Sequence, residues 1–248
     1  MTAIYILWLR QVIRYFRSRS RIIGALGQPL LFLFALGFGL GPIYQKAGNG
    51  SYIEFLVPGV IAQSILFTSL FSGIDVIWDK QFGFLKETLA APVSRFEIMF
   101  GKSLGGATVA IFQGIIVFFL SFLAGFKVEN YFNVLLIIPI MFLMALLFTS
   151  LGTAIASVLD DMQGFQLIMN FLVMPLFFLS GALFPLTNAP FILKVIASFD
   201  PLSYGVDAIR YLLNGTAHFG LTIDTMVLSI CVLVILSVGA WLFSKIQI

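Results

Sequence analysis

The short motif Gly101-Lys102-Ser103 is the part of the sequence that comes nearest to a nucleotide-binding site. It ends the stretch FEIMFGKS at residues 96–103, and Gly-Lys-Ser also ends the phosphate-binding loop of many nucleotide-hydrolysing proteins. That loop needs a first glycine where this chain has Phe96, and no strand pattern precedes it. We therefore interpret the motif as a chance match and expect the chain not to hydrolyse ATP by itself.

Other catalytic and metal-binding patterns are missing from the sequence. His218 is the single histidine and Cys231 the single cysteine, so no motif supports a Ser-His-Asp triad or a Cys-His pair. His218 has no His or Cys at metal-ligand spacing. We expect no catalytic residue, no metal site and no cofactor held by this chain.

The composition indicates an all-α integral membrane protein. Hydrophobic residues make up 60% of the 248 residues, charged residues 10%, and the mean hydropathy is +1.06. A helix needs roughly 20 mostly apolar residues to cross the hydrocarbon layer. Six such runs are predicted: Ile22–Gly41, Phe55–Trp78, Leu104–Phe126, Asn133–Leu159, Phe165–Leu186 and Thr225–Phe243.

The basic residues predict the orientation of these spans. Ten of the 14 Lys and Arg residues fall on one side of the predicted membrane, at Arg10, Arg14, Arg17, Arg19, Arg21, Lys80, Lys86, Arg95, Lys102 and Lys245. The positive-inside rule places that side, with both termini, in the cytoplasm. The basic residues flank spans rather than forming a soluble basic face, so no nucleic-acid partner is expected.

Charged residues are absent from the predicted midplane of the membrane, where proton- or ion-coupled carriers usually keep them. Asp75 and Asp79 end the second predicted span, and Asp160 and Asp161 end the fourth. We expect these four carboxylates to contact a cytoplasmic partner rather than relay protons. The chain would then need an external source of energy.

The interval 79–103 is too polar to cross a membrane and contains the stretch LKETLAAPVSR at residues 85–95. Pro92 disfavours helix at the preceding residue, while Ser94 and Glu97 have the spacing of a capping box. The pattern predicts a helix, a break and a second helix. This is interpreted as a rigid lever that transmits motion from a soluble partner; the alternative is a solvated loop.

The N-terminal residues 1–21 predict an amphipathic helix on the membrane surface. Arg10, Arg14, Arg17 and Arg21 recur at helical spacing and share one face. The alternative is an anchor that only fixes orientation.

The segment 187–223 predicts an outer helical hairpin between the fifth and sixth spans. Its first helix runs over Pro190–Phe199, and its second begins at Asp200-Pro201 and ends at Asn214-Gly215. Asp207 and Arg210 have the i, i+3 spacing of an ion pair. The hairpin is expected to dip into the outer leaflet, as a structural cap or as a gate.

Several of these motifs resemble the type-2 ABC exporter permeases, in particular the small prokaryotic branch with daunorubicin-resistance and nodulation-type export permeases. The resemblance covers nearly the whole chain. It is carried by Glu87-Thr88-Leu89, Ala91-Pro92, LSGALFPL at residues 179–186 and PLSYGVDAIR at residues 201–210. The hairpin signature comprises Pro201, Leu202, Tyr204, Asp207 and Arg210. Val173 departs from the residue class expected at its position.

The resemblance implies a permease without ATPase activity that forms a homodimer in membrane lipid and binds a separate cytoplasmic ABC ATPase, which holds ATP and Mg. It implies coupling residues at Leu85, Lys86, Glu87, Thr88, Leu89, Ala91, Pro92, Val93, Ser94, Arg95, Asp160 and Asp161. A path between two copies would involve Gln63, Phe67, Phe71, Asn170, Phe177 and Phe178.

The resulting hypothesis is a single permease domain over residues 1–248, multi-pass in a prokaryotic inner membrane, that exports an amphipathic drug-like or lipid-linked compound. The alternative cargo is a polysaccharide or a lipid-linked glycan. A passive channel and a membrane-embedded enzyme are the alternatives from other classes.

Overall fold

The computed structural model describes residues 2–47, 50–128 and 131–246, and these residues form helices without any strand. The α-helices are α1 (Thr2–Arg17), α2 (Arg19–Leu31), α3 (Gly37–Lys46), α4 (Tyr52–Phe71), α5 (Ile74–Gln81), α6 (Phe84–Ala90), α7 (Arg95–Ser121), α8 (Tyr131–Val158), α9 (Met162–Leu179), α10 (Phe191–Phe199), α11 (Pro201–Asn214) and α12 (Leu221–Ser244). A π-helical turn, Phe32–Leu36, joins α2 to α3.

Six segments are long and apolar enough to cross a membrane, which confirms the all-helical prediction with six candidate spans. They are Arg19–Lys46, Tyr52–Gln81, Arg95–Ala124, Phe132–Val158, Met162–Leu179 and Leu221–Ser244. The fifth is shorter than predicted and ends at Leu179 instead of Leu186, because the chain turns at Gly181, which has a φ of 74°.

The core of the bundle is formed by α4, α7 and α8, with α12 packed along α8 and α11 across one end. Glycines let these helices approach closely. A Cβ atom on Gly73, between α4 and α5, would collide with the backbone carbonyl of Gly152 in α8, and one on Gly106 in α7 would collide with Ser72 and Thr149. Only glycine, which has no Cβ atom, permits an approach this close.

The N-terminal helix α1 packs along the first part of α7. Leu7, Gln11 and Tyr15 form its buried face, and the Tyr15 hydroxyl donates to Gln113 Oε1 at 2.6 Å. The prediction of one helix over residues 1–21 is wrong in its extent: α1 ends at Arg17, and Arg21 lies on α2. The physical reason is Ser18, whose φ of −100° and ψ of 83° are not helical.

The two ends of the bundle carry different elements. One end, called the α6 end, holds α6 and the last described residues, since Arg95 Nη1 donates to the carbonyl oxygen of Ile246 at 3.3 Å. The hairpin end holds α10 and α11. Asp200 caps α11 through a bond from the Leu202 amide, and Gly215 ends it at a φ of 69°, which confirms the two predicted helices of this segment.

Candidate functional site

The helix α6 is set off from its neighbours by local signals in the sequence. Gly83, at a φ of 80°, precedes it, and α6 ends at Ala90, ahead of Pro92. The Ser94 hydroxyl accepts a hydrogen bond from the Glu97 amide at 3.2 Å, and the Ser94 amide donates to Glu97 Oε2 at 3.1 Å. The predicted helix, break and capping box are therefore confirmed.

The outer face of α6 is open to a partner. Leu85 is one of the residues implied for coupling, but its side chain is buried. It therefore holds α6 to the bundle and does not face outward. Thr88, Leu89, Val93 and Arg95 are half-buried. The exposed residues implied for coupling at α6, together with Asp160, form what we call the α6 surface. Its residues are Lys86, Glu87, Ala91, Pro92, Ser94 and Asp160.

The loop between α8 and α9 is tied to the end of α5, directly beside α6. Lys80 Nζ donates to the carbonyl oxygens of Ser157 at 2.7 Å and Leu159 at 2.9 Å, and to Asp160 Oδ1 at 3.1 Å. A lysine at a helix C-terminus binds carbonyls that have no partner within the helix. Asp161 instead caps α9, accepting from the Gly164 amide at 2.6 Å. The structure thus fixes this loop to the end of α5, which two residues separate from the start of α6.

A buried carboxylate, Asp79, lies beneath this surface. Arg10 Nη1 and Nη2 donate to its two oxygens at 2.9 and 2.8 Å, and Lys102 Nζ donates to Oδ2. Asp79 and Lys102 are each only 3% exposed. A bidentate guanidinium and a buried ammonium neutralise a charge that would otherwise be costly in this environment.

The second carboxylate of α5, Asp75, is bound by arginines from two other helices. Arg14 of α1 lies 3.3 Å from Asp75 Oδ1, and Arg21 of α2 lies 3.5 Å from Oδ2. The prediction that Asp75 and Asp79 contact a cytoplasmic partner is therefore wrong, because both are buried in ion pairs within the chain. Arg17, the fourth arginine of the predicted face, is exposed.

We call these six side chains the charged cluster; it combines four cations, Arg10, Arg14, Arg21 and Lys102, with the two anions Asp75 and Asp79. It joins α1, α2, α5 and α7. Contact with α6 comes through Arg10, whose guanidinium carbon lies 3.6 Å from the centre of the Phe84 ring. This contact joins α6 to the charged cluster.

The residues implied for a substrate path fall into two sets. Gln63, Phe67 and Phe71 of α4 line a cavity of about 430 Å³. None of the α9 residues lines that cavity: Asn170 and Phe178 are exposed, and Phe177 is buried with its ring centre 5.6 Å from that of Phe32.

The hairpin signature residues hold α11 to neighbouring segments. Pro201 starts α11, Leu202 is buried, and the Tyr204 hydroxyl donates to the carbonyl oxygen of Ser198 at 2.8 Å. Asp200 directly precedes Pro201, and burial raises the pKa of its carboxyl group to about 7. The Tyr204 bond joins α11 to α10, and Leu202 packs into the core of the bundle.

The predicted ion pair between Asp207 and Arg210 is wrong, because both side chains bind backbone groups instead. Asp207 accepts from the amides of His218 and Phe219, the shortest bond being 2.7 Å. Arg210 Nη2 donates to the carbonyl oxygen of Gly181 at 3.0 Å. Burial lowers the pKa of the Arg210 guanidinium to about 10. Both residues close loops that sequence spacing does not reveal.

Sequence reasoning missed Lys80, Phe84 and Lys102 as members of this site. Lys102 belongs to Gly101-Lys102-Ser103, which lies inside α7 and forms no loop. A basic residue placed within an apolar helix was the available signal, since such a residue needs a buried partner. In the described part of the chain, no three His, Cys, Asp or Glu side chains are grouped to share a metal ion.

Comparison with known proteins agrees with this architecture. The chain is 28% identical over 211 residues to Nodulation protein J of Rhizobium leguminosarum bv. trifolii, covering 84% of this chain and 80% of that protein. It is 30% identical over 213 residues to the transport permease ycf38 of Porphyra purpurea, covering 84% and 72%. The profile of the family described as ABC-2 type transporter matches residues 2–214. The chain therefore belongs to the ABC-2 type transporter family and is a multi-pass transmembrane permease of an ABC transporter.

Proposed function

We propose that the chain is the membrane subunit of an ATP-driven exporter and that a separate cytoplasmic ABC ATPase, which binds ATP and Mg, docks on the α6 surface. The observation that carries this proposal is the position of α6. Its polar face, including Lys86 and Glu87, is exposed, while its inner side contacts the charged cluster through Phe84 and Arg10. A partner that pushes on α6 would act on a helix already fixed to the transmembrane bundle.

The proposed movement passes from α6 into the spans by two routes. One runs through Arg10 and Asp79 to α5, which continues into α4 after the Ser72-Gly73 break. The other runs from Lys80 to the end of α8 and the start of α9. Closure of the ATPase on ATP would therefore tilt α4 and α9, and a second copy of the permease would supply the other wall of the path.

The proposed orientation places the α6 end in the cytoplasm of a prokaryote, with both termini on that side of the inner membrane. Ten of the 14 basic residues support it, because Lys and Arg concentrate in cytoplasmic loops. The proposed cargo is an amphipathic drug-like or lipid-linked compound. The cavity beside Phe67 and Phe71 supports this cargo over a free polysaccharide, since its wall combines apolar and polar side chains.

The test is a charge exchange on α6 that keeps the net charge. Lys86→Glu combined with Glu87→Lys reverses two exposed neighbours, and Lys127→Glu changes an exposed lysine near the other end as a control. The permease is coexpressed with its cognate ATPase, and complex formation and ATP-dependent transport into proteoliposomes are measured. We expect the exchange to reduce both and the control to change neither. Wild-type assembly and transport in the exchanged variant would contradict the proposal.

A further inference from the structure

The cavity next to the charged cluster is large enough for part of a small ligand. It has a volume of about 430 Å³ and lies between α1, α2, α4 and α7, with a contribution from α5. Ligand pockets commonly have volumes of about 300–1,000 Å³. The cavity extends along α2 from Ser20 to Pro29, which corresponds to roughly 13 Å at the helical rise per residue.

One end of the cavity lies next to an excess of positive charge in the charged cluster. Arg21 lines this end, and its side chain is 40% exposed. Asp75 also lines it and forms ion pairs with both Arg21 and Arg14. In the charged cluster, four cations oppose two carboxylates, which leaves an excess of two positive charges. An excess charge beside a partly buried cavity attracts an anion more strongly than the same charge does in bulk water.

The wall of the cavity also contains a polar group without a partner. The side chain of Gln63 is fully buried, and neither its Nε2 nor its Oε1 makes a hydrogen bond within the described part of the chain. A buried amide without a partner is costly, so native structures rarely keep one without a reason. A ligand with a donor or an acceptor would satisfy it.

Apolar side chains line the cavity beyond its charged end. Phe67 and Phe71 are stacked with ring centres 6.2 Å apart, and Pro29 and Val109 also line the cavity. An anionic head alone would leave this surface uncovered, whereas a purely apolar ligand would leave Arg21 and Gln63 unsatisfied. The combination selects a molecule with an acidic head and an apolar segment.

We infer that this cavity binds an anionic amphiphile, with an acidic oxygen of its head at Arg21, a polar group at Gln63 and its first apolar segment against Phe67 and Phe71. This inference deepens the proposed function, on which it rests for the identification of the ligand as cargo. The same chemistry is offered by a membrane phospholipid and by an exported single-chain acidic amphiphile.

The experiment measures ligand binding to the full chain without any ATPase. The protein is placed in phosphatidylcholine nanodiscs, and the probe is a fluorescent single-chain alkyl phosphate whose binding is followed by anisotropy. A matched alkyl phosphocholine carries no net charge, and inorganic phosphate presents the head alone. We expect the alkyl phosphate to bind more tightly than either of the other two.

Two variants test the cavity by different means. Arg21→Gln removes the charge and is expected to weaken binding about tenfold, as for the loss of one charge-assisted hydrogen bond. Gly24→Phe fills the cavity, because Gly24 lines it and a Cβ atom there meets nothing within 4 Å. The matched controls are Arg19→Gln and Gly27→Phe, on the same helix and exposed but outside the cavity. The controls are expected to bind the probe as the wild type does.

The outcomes separate this inference from the proposed function. The inference would be overturned if the alkyl phosphate and the alkyl phosphocholine bound equally well. It would also be overturned if both Arg21→Gln and Gly24→Phe bound the alkyl phosphate as the wild type does. Phosphatidylglycerol added to the nanodiscs distinguishes the two sources: displacement of the probe assigns the cavity to a membrane phospholipid, and retention assigns it to a single-chain cargo. Failure of the α6 exchange to alter transport would remove the proposed function and leave this binding result intact.

Discussion

The guanidinium carbon of Arg10 lies 3.6 Å from the centre of the Phe84 ring, while both terminal nitrogens of the same guanidinium donate to Asp79. The arginine is thus held between an aromatic ring of α6 and a carboxylate of α5. Stacking on an aromatic face leaves the in-plane N–H groups free for a bidentate pair. One side chain therefore joins the exposed helix to the buried charged cluster.

Replacing Phe84 by Leu is predicted to reduce ATP-coupled transport while leaving the permease folded. The substitution keeps an apolar side chain but removes the attraction between the ring and the cation, which is worth about 0.5–1 kcal/mol at such sites. The measurement is transport per ATP hydrolysed in proteoliposomes with the cognate ATPase. Phe84→Trp keeps the interaction and serves as the control. A Leu variant that couples as well as the Trp variant would show that this contact transmits nothing.

Replacing Asp79 by Asn is predicted to destabilise the protein by about 3–5 kcal/mol, because Lys102 would remain buried without its counter-charge. Thermal unfolding of the full chain in detergent measures the effect. Asp160→Asn, at a side chain that is 91% exposed, is expected to change stability by less than about 1 kcal/mol. The double variant Asp79→Asn with Lys102→Gln should be more stable than Asp79→Asn alone. Equal unfolding temperatures for Asp79→Asn and Asp160→Asn would contradict this assignment.

The sequence was informative about elements whose signals are local. The capping box at Ser94 and Glu97 and the start of α11 at Asp200 depend on residues within one helical turn, and each is found in the structure. The six spans could also be predicted, because a long apolar run is likewise a signal confined to one segment of the sequence. The fifth span ends before its predicted limit because the turn at Gly181 interrupts an otherwise apolar segment.

The charged cluster could not be predicted from spacing, because its members come from distant parts of the chain. Arg10 and Asp79 are 69 residues apart, and Asp79 and Lys102 are 23 apart. Periodicity showed that the arginines of the N-terminal helix share a face, but a free polar face and one bound to buried carboxylates have the same pattern. The packing of α1 against α7 brings the arginines of α1 to Asp75 and Asp79, and the sequence does not reveal that packing.

Replacing Gly73 by Ala is predicted to destabilise the protein by about 1–3 kcal/mol, as for overpacking of a filled core. The new methyl group would collide with the carbonyl of Gly152, which belongs to the backbone of α8 and cannot rotate away. The control is Gly39→Ala in α3, where a Cβ atom meets nothing within 4 Å. That variant should be at least as stable as the wild type, since alanine favours helix over glycine. Equal unfolding temperatures in the two variants would show that α5 and α8 can separate without cost.

The carboxyl group of Asp200 is predicted to make stability depend on pH. Burial raises its pKa from 3.8 to about 7, although the bond from the Leu202 amide acts in the opposite direction. Between about pH 4 and pH 7 the folded protein therefore holds a proton that the unfolded chain has released. Because the folded state binds more protons in this window, the free energy of unfolding falls as pH rises through it and levels off above pH 7.

The variant Asp200→Asn isolates this contribution, because an amide does not ionise in this range and its oxygen can still accept from the Leu202 amide. The measurement is the difference in unfolding temperature between the variant and the wild type from pH 4 to pH 8, in which the titration of other groups cancels. We expect the difference in unfolding temperature to be small near pH 4 and to increase in favour of the variant through pH 7. The corresponding difference in the free energy of unfolding approaches a limit of about 4 kcal/mol. A difference that stays constant across this range would mean that Asp200 ionises in the folded protein as readily as in the unfolded chain.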